Sequence, residues 1–483
     1  MSVLTTQQIR KRRQIRNFIL IWSVLTLIVG ICTFLAIYFA YGAFNLSSGR
    51  GNVAMRNVAI PPSSASEGVI VPTNTAFPTR QLTQEPTTEP SDTAPVQAVA
   101  QAATSAPQPT LLPTEVDRFE VGVQVQIPPD LSPDLMNQWA NVAKNQLSVN
   151  WVKMQIRWEQ VEPEKGNFDW SQTDLYLPAA SEQGLHVLAS IVTAPAWARE
   201  PGVNLEQHGP PADYNDYVNF VTQILQRYPG MIHAVEVWNE HNLDREWTSA
   251  RGLSAANYVE MLRLSYQAIK NIDPGIIVIS GALSPTGLSD GVRAWDDFVY
   301  MDQMIQAGLL NYTDCVGVHH NGINVSPDYR WDAIPNDPTA RFRGPFDNPH
   351  HSWSFRSTLE QYANKIALAG GKQKLCITEF GWASTEGFDE SVGFNGTVRQ
   401  GFEFALDNTL QEQRDFTVAA LQNMADWGFV RLAILWNLNY GPQAGWDPQN
   451  DNVFYSIIGP GFQFRPVFDA VRDWNREYEA QFN

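Results

Sequence analysis

Eight short apolar runs, separated by longer amphipathic stretches, fill roughly the last three-quarters of this 483-residue chain and leave it few possible architectures. They are Phe119–Val125, Trp151–Ile156, Leu185–Val192, Ile232–Trp238, Ile276–Gly281, Cys315–His319, Leu375–Glu379 and Val430–Trp436. Several are near-continuous in Val, Ile and Leu, the pattern of strands covered on both faces. The stretches between them read as helices. Ser132-Pro133-Asp134 offers an N-cap, a proline at the first helical position and an acid in the first turn, followed by Leu135, Trp139, Val142 and Ala143 on one face. The segment from Ser254 carries Tyr258, Met261, Leu262, Ser265 and Ile269 on one face, and Pro274 stops it. From Gln411 to Trp427, Phe416, Ala419, Ala420 and Met424 repeat at helical spacing. Strand and helix alternating eight times predict an α/β (β/α)8 barrel over residues 118–483. An open doubly wound sheet is the rival, and no GxGxxG follows any run to favour it.

The segments upstream differ in composition. Residues 1–17 form a basic N-terminus with Arg10, Lys11, Arg12, Arg13 and Arg16. Residues 18–40 carry no charge and are long enough for a single transmembrane helix. Bases before such a run predict a cytoplasmic N-terminus, a single-pass anchor in the cell membrane and an extracellular body. A cleaved signal peptide is the alternative, but the run is longer than a usual signal core and Tyr41-Gly42-Ala43 lacks a small residue at its first position. Residues 41–117 are rich in Pro, Thr and Ser without apolar periodicity, so they are expected to stay disordered as a semi-stiff linker.

The net charge of −17, with the N-terminal segment basic, excludes nucleic acid as a partner for the body and suits a neutral substrate. Three cysteines give no disulfide framework and no zinc motif. Counting by twos from His319 places Cys315 inward, and counting from Glu379 places Cys376 outward, so no bond between them is expected.

Chemistry in such a barrel sits where the strands end at the C-terminal face. Strand four ends in Val237-Trp238-Asn239-Glu240 and strand seven in Ile377-Thr378-Glu379-Phe380-Gly381. Two carboxylates facing each other across a barrel mouth are what hydrolysis of a glycosidic bond requires, one as proton donor and one as nucleophile. Either glutamate alone is an ordinary surface acid among 50 acids; the pair at these two strands is not. From Phe119 to Trp474 the chain resembles the clan of retaining (β/α)8 glycosidases that includes cellulases and β-xylosidases. The resemblance implies Glu240 as acid/base, Glu379 as nucleophile, Asn239 as a ligand of the sugar 2-hydroxyl and Arg157, at the end of strand two, as a cation bonded to Glu379. It also implies that His319 contacts substrate or nucleophile, and that Trp436 floors the subsite of the cleaved sugar.

At strand six the clan often continues to a tyrosine within a residue or two of this histidine. Here Asn321 and Gly322 follow His319 and His320, so His320 or a loop residue is expected to stand in. Trp197, after strand three, either lines a sugar subsite or caps the core. Glu162 and Glu164 are given no catalytic role. His350 and His351 read as loop residues without function. The loops from Asn324 to Trp353, Glu386 to Arg399 and Tyr440 to Tyr455 are expected to wall the cleft and set substrate choice.

The resulting expectation is a retaining β-glycoside hydrolase acting on an oligo- or polysaccharide, with no metal and no cofactor. Ionised Glu379 is expected to raise the pKa of Glu240. A transglycosidase would use the same residues. A non-catalytic carbohydrate-binding barrel would need Trp197 and Trp436 but neither glutamate.

Overall fold

The computed structural model describes residues 118–127 and 132–482. The basic terminus, apolar run and linker therefore lie outside the described residues. Among the described ones, no helix is long and apolar enough to cross a membrane.

The eight expected strands form a closed, wholly parallel barrel in sequence order. They are β1 (Glu120–Gln124), β2 (Trp151–Arg157), β3 (His186–Val192), β4 (Ala234–Val237), β5 (Ile277–Ser280), β6 (Cys315–Gly322), β7 (Lys374–Trp382) and β8 (Val430–Leu435). The principal helices after each strand are α1 (Pro133–Asn141), α2 (Thr173–Glu182), α3 (Tyr214–Arg227), α4 (Ala255–Ile272), α5 (Asp297–Gln306), α6 (Phe355–Leu368), α7 (Leu410–Trp427) and α8 (Pro466–Glu479). The open-sheet rival is excluded.

Local signals act where the sequence places them. The Ser132 side chain accepts from Leu135 N–H and caps α1, and Ser254 accepts from Asn257 N–H to cap α4. Tyr258, Met261, Leu262, Ser265 and Ile269 are all buried against the barrel. α7 begins with a capping box between Thr409 and Glu412 that the apolar spacing had not revealed.

The barrel interior changes character along its axis. Its lower layer consists of Trp151, Leu188, Ala234, Ile277, Ile279, Cys315, Cys376, Leu432 and Ile434. Cys315 and Cys376 are disulfide-bonded there, with Cα atoms 5.7 Å apart, which overturns the expectation that they face apart. The cause is a bulge in β7. Val318 pairs with Ile377, but His319 pairs with Glu379, so Thr378 is an extra residue. The bulge resets the alternation, so Cys376, Thr378 and Glu379 all reach the interior, and counting back from Glu379 gives the wrong face.

The loops after β6, β7 and β8 share a second small core. It contains Ile323, Val325, Phe388, Phe394, Phe404, Phe454 and Tyr455. Asp407 fastens the first loop to the second by accepting from Arg341 N–H, Phe342 N–H and Asn324 Nδ2.

Candidate active site

Glu240 lies just past β4 on a turn in which Trp238 (φ 75°) and Glu240 (φ 39°) are left-handed, a strain that non-glycine residues carry only when their surroundings impose it. Glu240 N–H donates to Ala282 O at 2.8 Å, and His241 Nε2 meets Gly281 O at 3.0 Å. Gly281 must be glycine, because a Cβ there would lie 2.6 Å from Val237 O. The strand-five end thus grips the turn that presents Glu240.

His319, inward on β6 and almost wholly buried, stands between the two glutamates. Its Nδ1 is 3.3 Å from Glu240 Oε1 and its Nε2 is 3.8 Å from Glu379 Oε1. Beneath Glu379 lies a buried ionic layer. Lys153 Nζ, without solvent exposure, is 3.0 Å from Glu379 Oε1 and 3.2 Å from Glu236 Oε2. Thr378 Oγ1 donates to Glu236 Oε1 at 2.6 Å.

Burial alone would lower the pKa of Lys153, but Glu236 and then Glu379 outweigh it and the net shift is upward. Burial alone would raise Glu236, but Lys153 and then His319 bring it below its ordinary value. The layer is therefore charged, and an ammonium balances the carboxylate of Glu379 from below.

Glu240 departs from the expected electrostatics. Burial opposes ionisation, yet His319 and then Arg245 hold its pKa down to about 2. Arg245, mostly exposed, donates from Nη2 to Glu240 Oε2 at 2.8 Å. The expectation that Glu379 raises Glu240 fails because His319 and Arg245, both bonded to its carboxylate, outweigh burial. His319 is shifted upward, burial being outweighed by Glu379 and Glu240. A third carboxylate, Glu246, lies 3.6 Å from Arg245 Nε, and burial followed by the charge of Glu240 pushes it up to about 7.

Other expected residues fall in and out of this group. Asn239 Oδ1 is buried without a protein partner, an acceptor left free at the mouth. Trp436 follows β8, half-buried beside Tyr440. Arg157 does not bond Glu379. It donates to Glu159 at 2.6 Å and turns toward His208, because a side chain at a strand end is free to swing outward. Lys153, four residues earlier on the same face, holds the position expected of Arg157.

His320 points away from the site onto Phe355 of α6, as a neighbour of inward His319 must, so it is no substitute for the tyrosine. Tyr455 is nearer: its phenol is kept neutral by burial and then by the charges of Asp451 and Glu379. Trp197 donates to Glu162 O and packs edge-on against buried Trp158, the contacts of a residue that caps the core. Glu162 accepts from Trp158 Nε1 and Gly166 N–H, a structural role.

Lys153, Glu236 and Arg245 were missed by the sequence reading. A signal existed for the first two, since each is the lone Asp, Glu, Lys or Arg inside a mostly apolar strand run.

A closed parallel barrel with carboxylates converging on its mouth is the arrangement that the resemblance to the (β/α)8 glycosidase clan implies. In sequence, residues 119–279 match glycosyl hydrolase family 10. That stretch covers Asn239 and Glu240 and stops short of His319 and Glu379. No curated protein matches the chain in sequence.

Among solved structures, a family 39 glycoside hydrolase from Bacteroides cellulosilyticus WH2 superposes with a TM-score of 0.51 at 16% identity, over 74% of this chain and 64% of its own. The chain thus spans under two-thirds of that protein's length. GH5_18 from Streptomyces cattleya, solved with GlcNAc, gives 0.51 at 14% identity, over 75% of this chain and 81% of its own. At such identities the structural likeness bears on the fold alone. With the family match over residues 119–279, it agrees with the resemblance to the barrel glycosidase clan.

Proposed function

We propose that the chain is a membrane-tethered, exported β-glycosidase that retains anomeric configuration. The observation carrying this reading is the placement of one imidazole between Glu240 and Glu379, with Lys153 beneath the latter. Glu379 attacks the anomeric carbon while Glu240 gives a proton to the leaving oxygen, forming a glycosyl-enzyme. Glu240 then takes a proton from water, whose oxygen attacks the anomeric carbon and releases Glu379.

In this reading the proton needed for the first step is held in the free site by His319, whose pKa is shifted upward by Glu379 and Glu240 and whose Nδ1 is 3.3 Å from Glu240. Displacement of Arg245 by substrate removes one of the two cations that hold Glu240 ionised, and the proton passes from Nδ1 of the other, His319, to the carboxyl. Esterification of Glu379 removes its charge and makes His319 less basic, so His319 no longer favours ionised Glu240 and the carboxylate can accept the proton of water. Asn239 and Trp436 bind and seat the sugar in this reading.

The apolar run at 18–40 and its preceding bases support the anchor. The Cys315–Cys376 bond, of a kind that persists in oxidising compartments, supports export.

The test is azide rescue of Glu240→Ala and Glu379→Ala in the full chain on a panel of aryl β-glycosides. The roles predict a β-glycosyl azide from Glu240→Ala and an α-glycosyl azide from Glu379→Ala. Wild type and variants that bind sugar equally, with none cleaving it, would leave only a carbohydrate-binding barrel.

A further inference from the structure

Asp296, His350 and His351 converge on one point away from the glutamates, between the N-terminus of α5 and the end of the long loop after β6. We propose that they bind a borderline divalent transition-metal ion of the zinc class, which clasps that loop to α5.

The donor atoms are set for it. Asp296 caps α5 with one oxygen only, Oδ1, which accepts from Phe298 N–H at 3.0 Å and Val299 N–H at 3.2 Å. Its Oδ2 faces His350 Nε2 at 3.5 Å and His351 Nε2 at 3.7 Å. A tetrahedral ion with bonds of about 2.0–2.2 Å spaces its ligand atoms about 3.3–3.6 Å apart, so both pairs stand near the required edge length. All three donor atoms lie within 4.8 Å of one another, and only the two imidazole nitrogens need to close.

The surroundings hold the rings in place. His351 lies flat on Phe298 with ring centres 3.5 Å apart. His350 Nδ1 accepts from Ser352 N–H at 3.3 Å and lies 2.9 Å from Ser352 Oγ, which fixes the ring with Nε2 toward Asp296. Fully buried Asp297 Oδ1 lies 3.1 Å from His351 Nε2, a hydrogen bond that the ion replaces when it takes that nitrogen, and its carboxyl stays beside the site. His350 remains a third exposed and borders a cavity of about 430 Å³ lined also by Trp331 and Glu360, which gives an ion entry and room for a water as fourth ligand. Two imidazoles and one carboxylate favour zinc-class ions over magnesium or calcium, which prefer all-oxygen shells.

The experiment is calorimetric titration of the EDTA-stripped full chain with zinc chloride, magnesium chloride or calcium chloride, with thermal melts alongside. The expected result is one bound zinc, a higher Tm with zinc, and no response to the other two ions. Asp296→Asn retains the Oδ1 cap but loses the charged ligand, and His350→Ala loses a nitrogen. Each should weaken zinc binding by about tenfold or more and abolish the zinc-dependent rise in Tm. The Tm of Asp296→Asn in EDTA shows whether the cap and fold are intact. Absence of stoichiometric zinc binding by wild type, or zinc binding by both variants equal to wild type, overturns the proposal. If His350→Ala does not fold, Asp296→Asn alone decides.

Discussion

Two levels of one barrel, two residues apart along the same strands, have opposite interiors. The lower level is Trp151, Leu188, Ala234, Ile279 and a disulfide, closed around carbon and sulfur. The upper level is Lys153, Ser190, Glu236 and Thr378, equally buried but polar. The lower level gains stability from each apolar group removed from water. The upper level takes on a desolvation cost that the mutual attraction of its charges repays only while all partners are present. Such a layer is a poor means of stabilising a barrel, but it sets a fixed ammonium under Glu379, where a mobile surface cation would be screened by water.

The contrast is broken most sharply at Lys153. Lys153→Met leaves Glu236 buried without its counter-charge and should lower unfolding free energy by about 3–5 kcal/mol in urea titration, with loss of turnover. Adding Glu236→Leu should restore most of the stability and none of the turnover. Recovery of activity in the double variant would show that the layer is structural only.

The lower level should behave in the reverse way. Leu188→Ala should cost about 2–5 kcal/mol through cavity formation while kcat of the folded enzyme stays near wild type. A matching fall in kcat would mean that the two levels are not separable.

The smallest effect is expected at the mouth. On the proposed mechanism Glu240 and His319 share one proton that they lose as pH rises, and Arg245 favours its loss. Arg245→Ala removes that cation, so the pair should keep its proton to higher pH. The alkaline limb of kcat/KM against pH should therefore move up by roughly one unit, equivalent to about 1.4 kcal/mol. A limb that stays in place, or moves down, would remove Arg245 from the account of Glu240.

Glu240, Glu379 and His319 were legible because each stands at or near the end of a strand whose position in the barrel follows from order alone. Arg157 was misread because position along a strand does not settle where a long side chain at its end turns. Cys376 was misread because one extra residue, Thr378, reverses the face on which the earlier residues lie. His350 and His351 looked like idle loop residues because their partner, Asp296, is more than fifty residues away in sequence.

Periodicity is a local property, so the sequence alone determined that eight strands alternate with helices and that two glutamates stand at the barrel mouth. Which cation supports Glu379, which cysteines bond and which histidines converge depend on register, bulges and loop closure. Those are properties of chain segments far apart in sequence, and only the tertiary structure decided them.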